Sequence, residues 1–236
     1  MYLPKHFAEH QPQSLHGLIR AHPLGTLITL GSDGEPVADL IPFWLDAPHP
    51  PAGASGLTSE SALPGASAAS TPSAAPPVRL LAHVARSNPL WRTHPAGRPV
   101  LVVFHGPDAY ISPNWYPTKA EHGKAVPTWN YATVQAKGTL KVIDQNPDWL
   151  RTFLTRLTAE HEATQPHPWQ LGDAPSDYIQ AMLQAVVGLE VEVTQLTGKF
   201  KLSQNQPPAN QQGVQQALAA SLTPRARDTL RWTPNS

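Results

Sequence analysis

The chain has 236 residues, with 17 lysines or arginines and 17 aspartates or glutamates, so its formal net charge is zero. That length suits one domain, and a charged fraction of only 14% argues against a dominant electrostatic partner such as nucleic acid or an anionic membrane. The absence of cysteine excludes disulfides, thiolate metal sites and thiol nucleophiles.

The first half of the chain is predicted to form one helix followed by short strands. Leu15, Leu18 and Ile19 have helical spacing within residues 13–22, and Pro23 ends this helix. Short apolar runs bounded by glycine, proline or asparagine indicate strands. The predicted strands of this half cover residues 24–30, 36–45, 78–84, 99–105 and 109–112.

One segment of unusual composition interrupts these strands. Residues 47–77 contain seven prolines, nine alanines, six serines and three glycines, with Glu60 as the one charged residue. Such a segment cannot bury enough apolar surface to offset the loss of chain entropy on folding. We predict a flexible surface loop inserted in a single domain of residues 1–236, and we expect its deletion to leave the fold intact.

The second half adds strands and most of the helices. Strands are predicted at residues 134–143 and 188–197, the latter with alternating apolar and polar side chains. Helical spacing occurs at residues 148–162, at 177–187 and more weakly at 213–222, within a C-terminal helical extension of about 207–236. With no alternation of strand and helix, the pattern favours a mainly β fold with peripheral helices, in which barrel closure removes strand edges.

The sequence lacks the common catalytic and nucleotide-binding motifs. There is no glycine-rich phosphate loop, no GxSxG nucleophile motif and no HExxH zinc motif. His161 and Glu162 precede His167, but Pro166 intervenes and the spacing does not place both imidazoles on one helix face. We therefore predict no metal site and assign no catalytic residue.

Arg86, Ser87 and Asn88 follow a predicted strand directly, at a point where a helix could begin at Pro89. Backbone N–H groups at a helix N-terminus, a guanidinium and a hydroxyl are together suited to a phosphate monoester. The alternative interpretation is that Asn88 only caps the helix and that Arg86 is solvated.

Three further segments combine aromatic and polar residues. Residues 110–119 and 126–131 interleave aromatic rings with Asn, Thr and Ser, which suits a planar ligand that forms hydrogen bonds, although core or hairpin pairing explains them equally well. Residues 198–205 carry alternating lysines into a polar turn. The alternative for this last segment is an exposed strand edge protected from aggregation.

Six motifs occur in order along nearly the whole chain. They are Met1-Tyr2-x-Pro4-x-His6-Phe7, His22-Pro23-Leu24-Gly25-Thr26-Leu27, His83-Val84-Ala85-Arg86-x-Asn88-Pro89-x-Trp91, Tyr110-Ile111-Ser112-Pro113-x-Trp115-Tyr116, Val126-Pro127-Thr128-Trp129-Asn130-Tyr131 and Lys199-x-Lys201-Leu202-Ser203-Gln204-Asn205. Together they resemble the PaiB-type family, described as FMN-binding negative transcriptional regulators. Residues 47–77 are the main departure from that pattern.

The resemblance implies a split β-barrel of the pyridoxamine-phosphate-oxidase-like kind, which works as a homodimer with FMN at the subunit interface. It assigns the FMN phosphate to the strand-to-helix segment Arg86, Ser87 and Asn88, with Lys119 as a weaker candidate.

The resemblance also implies a place for the flavin ring and for the end of the last strand. The residues that would lie along the ring system are Thr128, Trp129, Asn130 and Tyr131. The residues that would reach the ligand or the dimer interface are Lys201, Ser203 and Gln204.

The regulatory role implied by the resemblance has no support from the residues themselves. No helix-turn-helix and no basic stripe is apparent, so DNA as a partner rests on the family resemblance alone. One alternative is a flavin-dependent oxidoreductase, or a haem-related split-barrel protein, that acts on a small molecule. Another is an interaction module whose cofactor site has degenerated.

The N-terminal segment lacks a basic patch followed by an apolar run. No stretch approaches the roughly 18 apolar residues of a membrane helix. We therefore expect a soluble, cytoplasmic protein without a membrane partner.

Overall fold

The computed structural model describes residues 1–47, 77–94 and 97–233. The predicted loop at 47–77 lies outside these residues except for Ala47 and Pro77. The strands are β1 (Ala8–Glu9), β2 (Leu24–Leu30), β3 (Pro36–Pro42), β4 (Trp44–Asp46), β5 (Arg79–Ala85), β6 (Pro99–Ile111), β7 (Thr128–Ile143) and β8 (Val186–Lys201). The helices are α1 (Pro12–Ala21), α2 (Leu90–Thr93), α3 (Lys119–His122), α4 (Pro147–Glu162), α5 (Ser176–Gln184), α6 (Pro208–Ala220) and α7 (Pro224–Trp232).

The strands form one antiparallel sheet whose two outermost strands are joined by the chain. Its order is β3-β2-β6-β7-β8-β5-β4, and β1 pairs with β8. The two outermost strands, β3 and β4, are consecutive in the chain and are separated only by Phe43. Because β4 pairs with β5, this stretch of chain bridges the two edges and curls the sheet into a split barrel. The predicted mainly β, split-barrel fold with peripheral helices is confirmed.

The barrel interior is filled by alternate side chains of the long strands. On β8, Val187, Leu189 and Val191 point inward and are fully buried, as period-2 alternation requires. Leu18 and Ile19 of α1 are equally buried and join this core. Burial of each such side chain stabilises the fold by about 1.5–3 kcal/mol.

Two pairs of helices pack on the outside of the barrel. Val214 and Leu218 of α6 form a second apolar cluster with Ile111 at the end of β6. On another side, Phe153 of α4 packs against Leu81 of β5. Within the part of the chain described, no helix is both long and apolar enough to cross a membrane.

Strand boundaries differ from the predictions at several places: β1 was not predicted, and β8 extends beyond the predicted 188–197 at both ends. The predicted strands 99–105 and 109–112 form the single strand β6. Its pairing with β7 shifts register between His105 and Asp108. Gly106-Pro107 is therefore an irregularity within the strand and does not end it. The predicted strand 36–45 is interrupted at Phe43, and β7 begins at Thr128 rather than at 134. Helix α7 lies within the predicted C-terminal helical extension, but its bounds were not predicted, because its arginine-rich sequence has only a narrow apolar face.

Candidate functional site

The residues predicted to bind a cofactor lie in two groups at opposite ends of β8. The Arg86 backbone N–H donates to the carbonyl of Ala185, immediately before β8 begins, whereas Lys201 is the last residue of β8. At roughly 3.3 Å per residue, the strand between them traces a path of about 50 Å. The two groups also line separate cavities that have no residue in common, so within one chain they do not form a single compact site.

Arg86 is held by three acceptors of the protein itself. Its Nε donates to Gln184 O at 2.7 Å, its Nη1 to Asp144 Oδ1 at 2.8 Å and its Nη2 to Val186 O at 3.1 Å. A guanidinium carries five N–H donors, so two remain for another acceptor. The interpretation of Arg86 as a merely solvated side chain is wrong.

Asn88 precedes the short helix α2, accepts from its first N–H group and contacts an aspartate of strand β3. Its Oδ1 accepts from the Leu90 N–H at 2.8 Å, and its Nδ2 donates to Asp39 Oδ1 at 3.2 Å. The other oxygen of Asp39, Oδ2, is buried and has no hydrogen-bond partner among the described residues. Sequence reasoning missed Asp39, because a single acid on an exposed-looking strand carries no distinctive pattern.

A cavity of about 600 Å³ lies beside Arg86 and is called here the Arg86 cavity. The first turn of α4 forms one wall through Asn146, Pro147 and Asp148, and Arg151 adds a second cation. Asn146 caps α4 by accepting from the Trp149 N–H at 3.0 Å. Arg86 therefore lies beside the N-terminus of α4, which has 16 residues. The helix predicted at Pro89 exists as α2 but has only four residues.

A second cavity, of about 360 Å³, lies at the other end of β8 and is called here the Lys201 cavity. It brings together four of the predicted residues, Thr128, Asn130, Lys201 and Ser203. The remaining lining residues are Tyr116, Thr118, His122, Lys124, Ala125, Val126, Asn205, Gln206, Pro207 and Asn210.

A buried polar pair forms part of the Lys201 cavity wall. Asn130 is 0% exposed and Ser203 is 3% exposed. Asn130 Nδ2 donates to Ser203 Oγ at 2.9 Å, and Ser203 Oγ donates in turn to Asn130 Oδ1 at 3.1 Å. This pairing joins the start of β7 to the turn after β8.

Lys201 crosses the same wall and is partly withdrawn from solvent. Its Nζ donates to Thr128 Oγ1 at 2.7 Å and to the carbonyl of Trp129. Burial, and secondarily the nearby charge of Lys199, lower the pKa of Lys201 below its usual value. The alternative of an exposed strand edge is thus wrong for Lys201.

Helix α6 closes the Lys201 cavity. Asn210 Oδ1 accepts from the N–H of Thr118 at 3.3 Å and from its Oγ1 at 3.0 Å. Gly213 lets α6 approach closely, because a Cβ there would lie 2.1 Å from the carbonyl oxygen of Trp115. Thr118 belongs to the segment 110–119 singled out in the sequence, but Asn210 was missed, because the two come together only when α6 packs.

Trp129 and Tyr131 point away from the Lys201 cavity, since alternate residues of β7 face opposite sides. Trp129 is 52% exposed and meets the edge of Tyr110 at a centroid separation of 5.8 Å, beside a cavity of about 270 Å³. The Tyr131 ring lies 5.4 Å from Lys199 Nζ. The four predicted ring residues therefore divide between two faces.

Lys119 and Gln204 make local contacts. Lys119 is exposed, and its Nζ donates to Asn114 Oδ1. Gln204 bonds the backbone of its own turn, at Phe200 O and Leu202 N. Among the described residues, no group of three or more His, Asp or Glu side chains could hold a metal ion.

Comparison with known proteins identifies the family. Residues 1–195 match the family described as "Putative FMN-binding domain". An uncharacterized protein of Emericella nidulans is 35% identical over 227 residues, which cover 91% of this chain and 88% of that protein. The Bacillus subtilis protein named Protease synthase and sporulation protein PAI 2 is 27% identical over 227 residues, covering 96% of this chain and 93% of that protein.

The fold has a counterpart among solved structures. The FAD and heme binding protein from Mycobacterium smegmatis is 19% identical, with a TM-score of 0.53 over 83% of this chain and 73% of that chain. This likeness concerns the fold. The chain belongs to the FMN-binding family, so the resemblance to PaiB-type proteins and the expected cofactor, FMN, are confirmed.

Proposed function

Because the chain belongs to this FMN-binding family, we propose that it is a homodimeric flavoprotein of the PaiB type that acts as a negative regulator of transcription. Each flavin lies between two protomers. One protomer supplies the Arg86 end of the site, and its partner supplies the Lys201 end.

The observation that carries the dimeric site is the separation of the two groups along β8. Arg86 and Lys201 mark opposite ends of a strand path longer than an FMN molecule. In a two-fold symmetric dimer every contact occurs twice: if residue i of one protomer contacts residue j of its partner, residue j of the first protomer contacts residue i of the partner. Such a dimer brings the Arg86 end of each chain to the Lys201 end of the other and creates two equal sites.

Exposed apolar side chains on β2 and β3 supply surface for this dimer. Leu24 and Leu30 of β2 and Val37 and Leu40 of β3 are all exposed, and Leu40 is 64% exposed. Strand β3 is also an outermost strand of the sheet. Apolar edge strands in soluble proteins are generally covered, and a second copy of the chain would cover this one.

The Arg86 group fits the phosphate and sugar-alcohol parts of FMN. The two unused N–H donors of Arg86 and the exposed hydroxyl of Ser87 suit a phosphate. The buried, unpartnered Oδ2 of Asp39 needs a donor, and a ribityl hydroxyl provides one. A phosphate at that oxygen would be repelled, so Asp39 orients the chain of the cofactor with its phosphate toward Arg86.

The Lys201 end fits the neighbourhood of the ring. Residues 128–131 present an exposed indole on one face and hydrogen-bonding groups on the other, with Lys201, Ser203 and Gln204 alongside. When bound, FMN supplies electron and hydride transfer, while the protein binds it, orients it and limits solvent access.

Arg86→Ala tests the phosphate assignment. Loss of a charge-assisted contact should weaken FMN binding by about tenfold or more, while the affinity for riboflavin, which lacks the phosphate, stays unchanged. The measurement is a fluorescence titration of each flavin. Asp144→Asn is the matched control, because it removes the ion-pair partner of Arg86 but keeps the guanidinium. Equal losses for FMN and riboflavin would show that Arg86 only supports the fold.

The regulatory role is supported by the similarity to the Bacillus subtilis sporulation protein. Since the net charge is zero, DNA contact must be local. Helix α7 offers such a surface, because the side chains of Arg225 and Arg231 are each about four-fifths exposed and Arg227 lies between them in the chain.

A gel-shift assay with the purified protein, its own promoter and modest salt tests direct repression. We expect retardation that an Arg225→Gln, Arg231→Gln double variant abolishes, whereas Lys141→Gln, at an exposed position on β7, is the control for a general loss of charge. No retardation with or without FMN would exclude direct repression.

A flavin-dependent oxidoreductase is the second candidate function. The observation in its favour is the Lys201 cavity, which leaves room for a small molecule beside the proposed ring segment. Reduction of the bound flavin by a nicotinamide donor, followed by reoxidation that depends on one particular acceptor, would favour it. The cytoplasmic location stays a prediction.

A further inference from the structure

We propose that the Lys201 cavity binds the acidic group, a phosphate or a carboxylate, of a small molecule other than FMN. This inference goes beyond the proposed function, because it adds a second ligand with its own recognition site. It follows from the charge, the hydrogen-bonding groups and the size of the cavity.

The cavity wall contains cations and no carboxylate. Lys201 and Lys124 line it, and none of its lining residues is Asp or Glu. The other cavities described differ in this respect: the Arg86 cavity includes Asp148, the cavity beside Trp129 includes Asp108, and the cavity beside Trp169 includes Glu162. The Lys201 cavity is thus the one among them that is lined by cations without any carboxylate.

Lys201 has no counter-ion among the residues that the structure describes. None of the ion pairs among the described residues includes Lys201 or Lys124. Taking an ammonium group out of water without an opposite charge costs free energy. Its hydrogen bonds to Thr128 and Trp129 use two of its three N–H donors and neutralise no charge. A bound anion would accept the third N–H and neutralise the charge of the ammonium group.

The neutral part of the wall is built for hydrogen bonding. The amide of Asn130 donates one N–H to Ser203, so its second N–H is available to a ligand. Ser203 has a φ of 71°, in the left-handed region that residues other than glycine rarely adopt. Such strained residues concentrate at functional sites, and here the conformation accompanies the bond between Ser203 and Asn130.

Helix α6 adds to the positive potential. Pro207 and Asn210, at the N-terminal end of this 13-residue helix, line the cavity, and that end of a helix dipole is positive. The volume of about 360 Å³ is near the lower end of small-molecule sites, which span roughly 300–1,000 Å³. A small metabolite fits this description better than a polymer segment.

The test uses the protein as purified, with its flavin content measured by visible absorbance. Inorganic phosphate and succinate are titrated by calorimetry at constant ionic strength. We expect saturable binding that Lys201→Gln weakens by about tenfold or more, since a charge-assisted hydrogen bond is lost. Lys199→Gln is the matched control, because this cation lies two residues away on the same strand and does not line the cavity; it should change the affinity by less than about threefold.

A second variant covers the case in which Lys201→Gln fails to fold. Lys124 is exposed at the cavity rim, so Lys124→Gln should fold normally and weaken anion binding several-fold. Unchanged affinity in Lys124→Gln would then overturn the proposal. Absence of saturable binding of both anions to the wild type, or equal losses in the Lys201 and Lys199 variants, would also overturn it.

Titration of the flavin-free protein separates the two sources of a phosphate. If the cavity serves a second ligand, Lys201→Gln affects FMN and riboflavin equally. A loss confined to FMN would assign the cavity to the phosphate of the cofactor and overturn the proposal. The absorbance of bound flavin reports the proposed FMN function separately from anion binding.

Discussion

Ser203 and Asn130 link local backbone geometry to the candidate site. Ser203 adopts its left-handed conformation in the turn after β8, where its hydroxyl meets the fully buried amide of Asn130. A buried amide that loses its partner carries the full cost of its desolvation. The pair therefore contributes to stability as well as to the shape of the Lys201 cavity.

Ser203→Ala should lower the free energy of unfolding by about 1–3 kcal/mol, because Asn130 then lacks a partner. Urea denaturation measures this change. Ser32→Ala, in the exposed turn between β2 and β3, should change stability by less than about 0.5 kcal/mol. Equal effects of the two substitutions would show that the buried pair is energetically unimportant.

Buried histidines predict how stability depends on pH. Burial lowers the pKa of His83 below the ordinary 6.5, and burial likewise lowers the pKa of His16 and of His22. As the pH falls, the unfolded chain takes up these protons before the folded chain does. The contribution to stability is therefore full above pH 6.5 and is lost as the pH falls through the lower folded-state pKa values.

His83→Phe should make the free energy of unfolding depend less steeply on pH, because the variant has no titratable group at this position. Urea denaturation of both proteins at several values between about pH 8 and pH 5 measures the slope directly. The variant keeps an aromatic ring beside Phe153, whose centroid lies 6.0 Å from the His83 ring. A slope identical to that of the wild type would contradict the assignment to His83.

At the scale of elements, the pairing of β7 with β8 controls both ends of the candidate site. The register shifts between Lys137 and Gly138: the part of β7 before this point pairs with the end of β8 that carries Lys201, and the part after it pairs with the start of β8. A Cβ at Gly138 would lie 2.2 Å from the carbonyl oxygen of Glu192, so no larger residue fits without moving the backbone.

Gly138→Ala should destabilise the protein by about 1–3 kcal/mol, as overpacking usually does. Gly172→Ala is the matched control, because a Cβ there meets nothing within 4 Å. Thermal unfolding followed by circular dichroism measures both. Comparable melting temperatures for the two variants would show that the backbone at Gly138 yields easily.

Elements that depend on neighbouring residues in the chain were predicted well. The apolar spacing of α1, the run of β2 and the amphipathic face of α4 appear close to their predicted positions, because each pattern is local. The irregularity at Gly106-Pro107 was predicted as the end of a strand, because a bulge depends on pairing with β7. Helix α7 falls within the predicted helical extension, but its bounds depend on packing against β6 and α6, which the sequence pattern does not reveal.

At the scale of the whole molecule, the proposed dimer explains why predicted flavin residues lie far apart within one chain. The exposed apolar surface of β2 and β3 is the proposed contact area. Each proposed flavin site needs residues from two chains. A substitution that dissociates the dimer should therefore also weaken FMN binding.

Leu40→Glu should therefore shift the protein toward monomers and weaken FMN binding, since a charge would be buried at the interface. Sedimentation velocity measures the first effect and flavin titration the second. Leu222→Glu is the control, because Leu222 is 88% exposed and belongs to the connection between α6 and α7 rather than to β2 or β3. A monomer that retains wild-type FMN affinity would contradict a site shared between protomers.

The sequence by itself determined the type and approximate position of most elements, the mainly β class and the polar segments that carry the family resemblance. These features follow from periodicity, turn residues and motif order along the chain. Only the tertiary structure decided which polar segments meet. Asn130 and Ser203, 73 residues apart, share one cavity, whereas Arg86 lies beside the first turn of α4 and Asn88 contacts Asp39. The physical reason is that strand register, barrel closure and the packing of α6 depend on contacts between distant residues, which a local pattern does not encode.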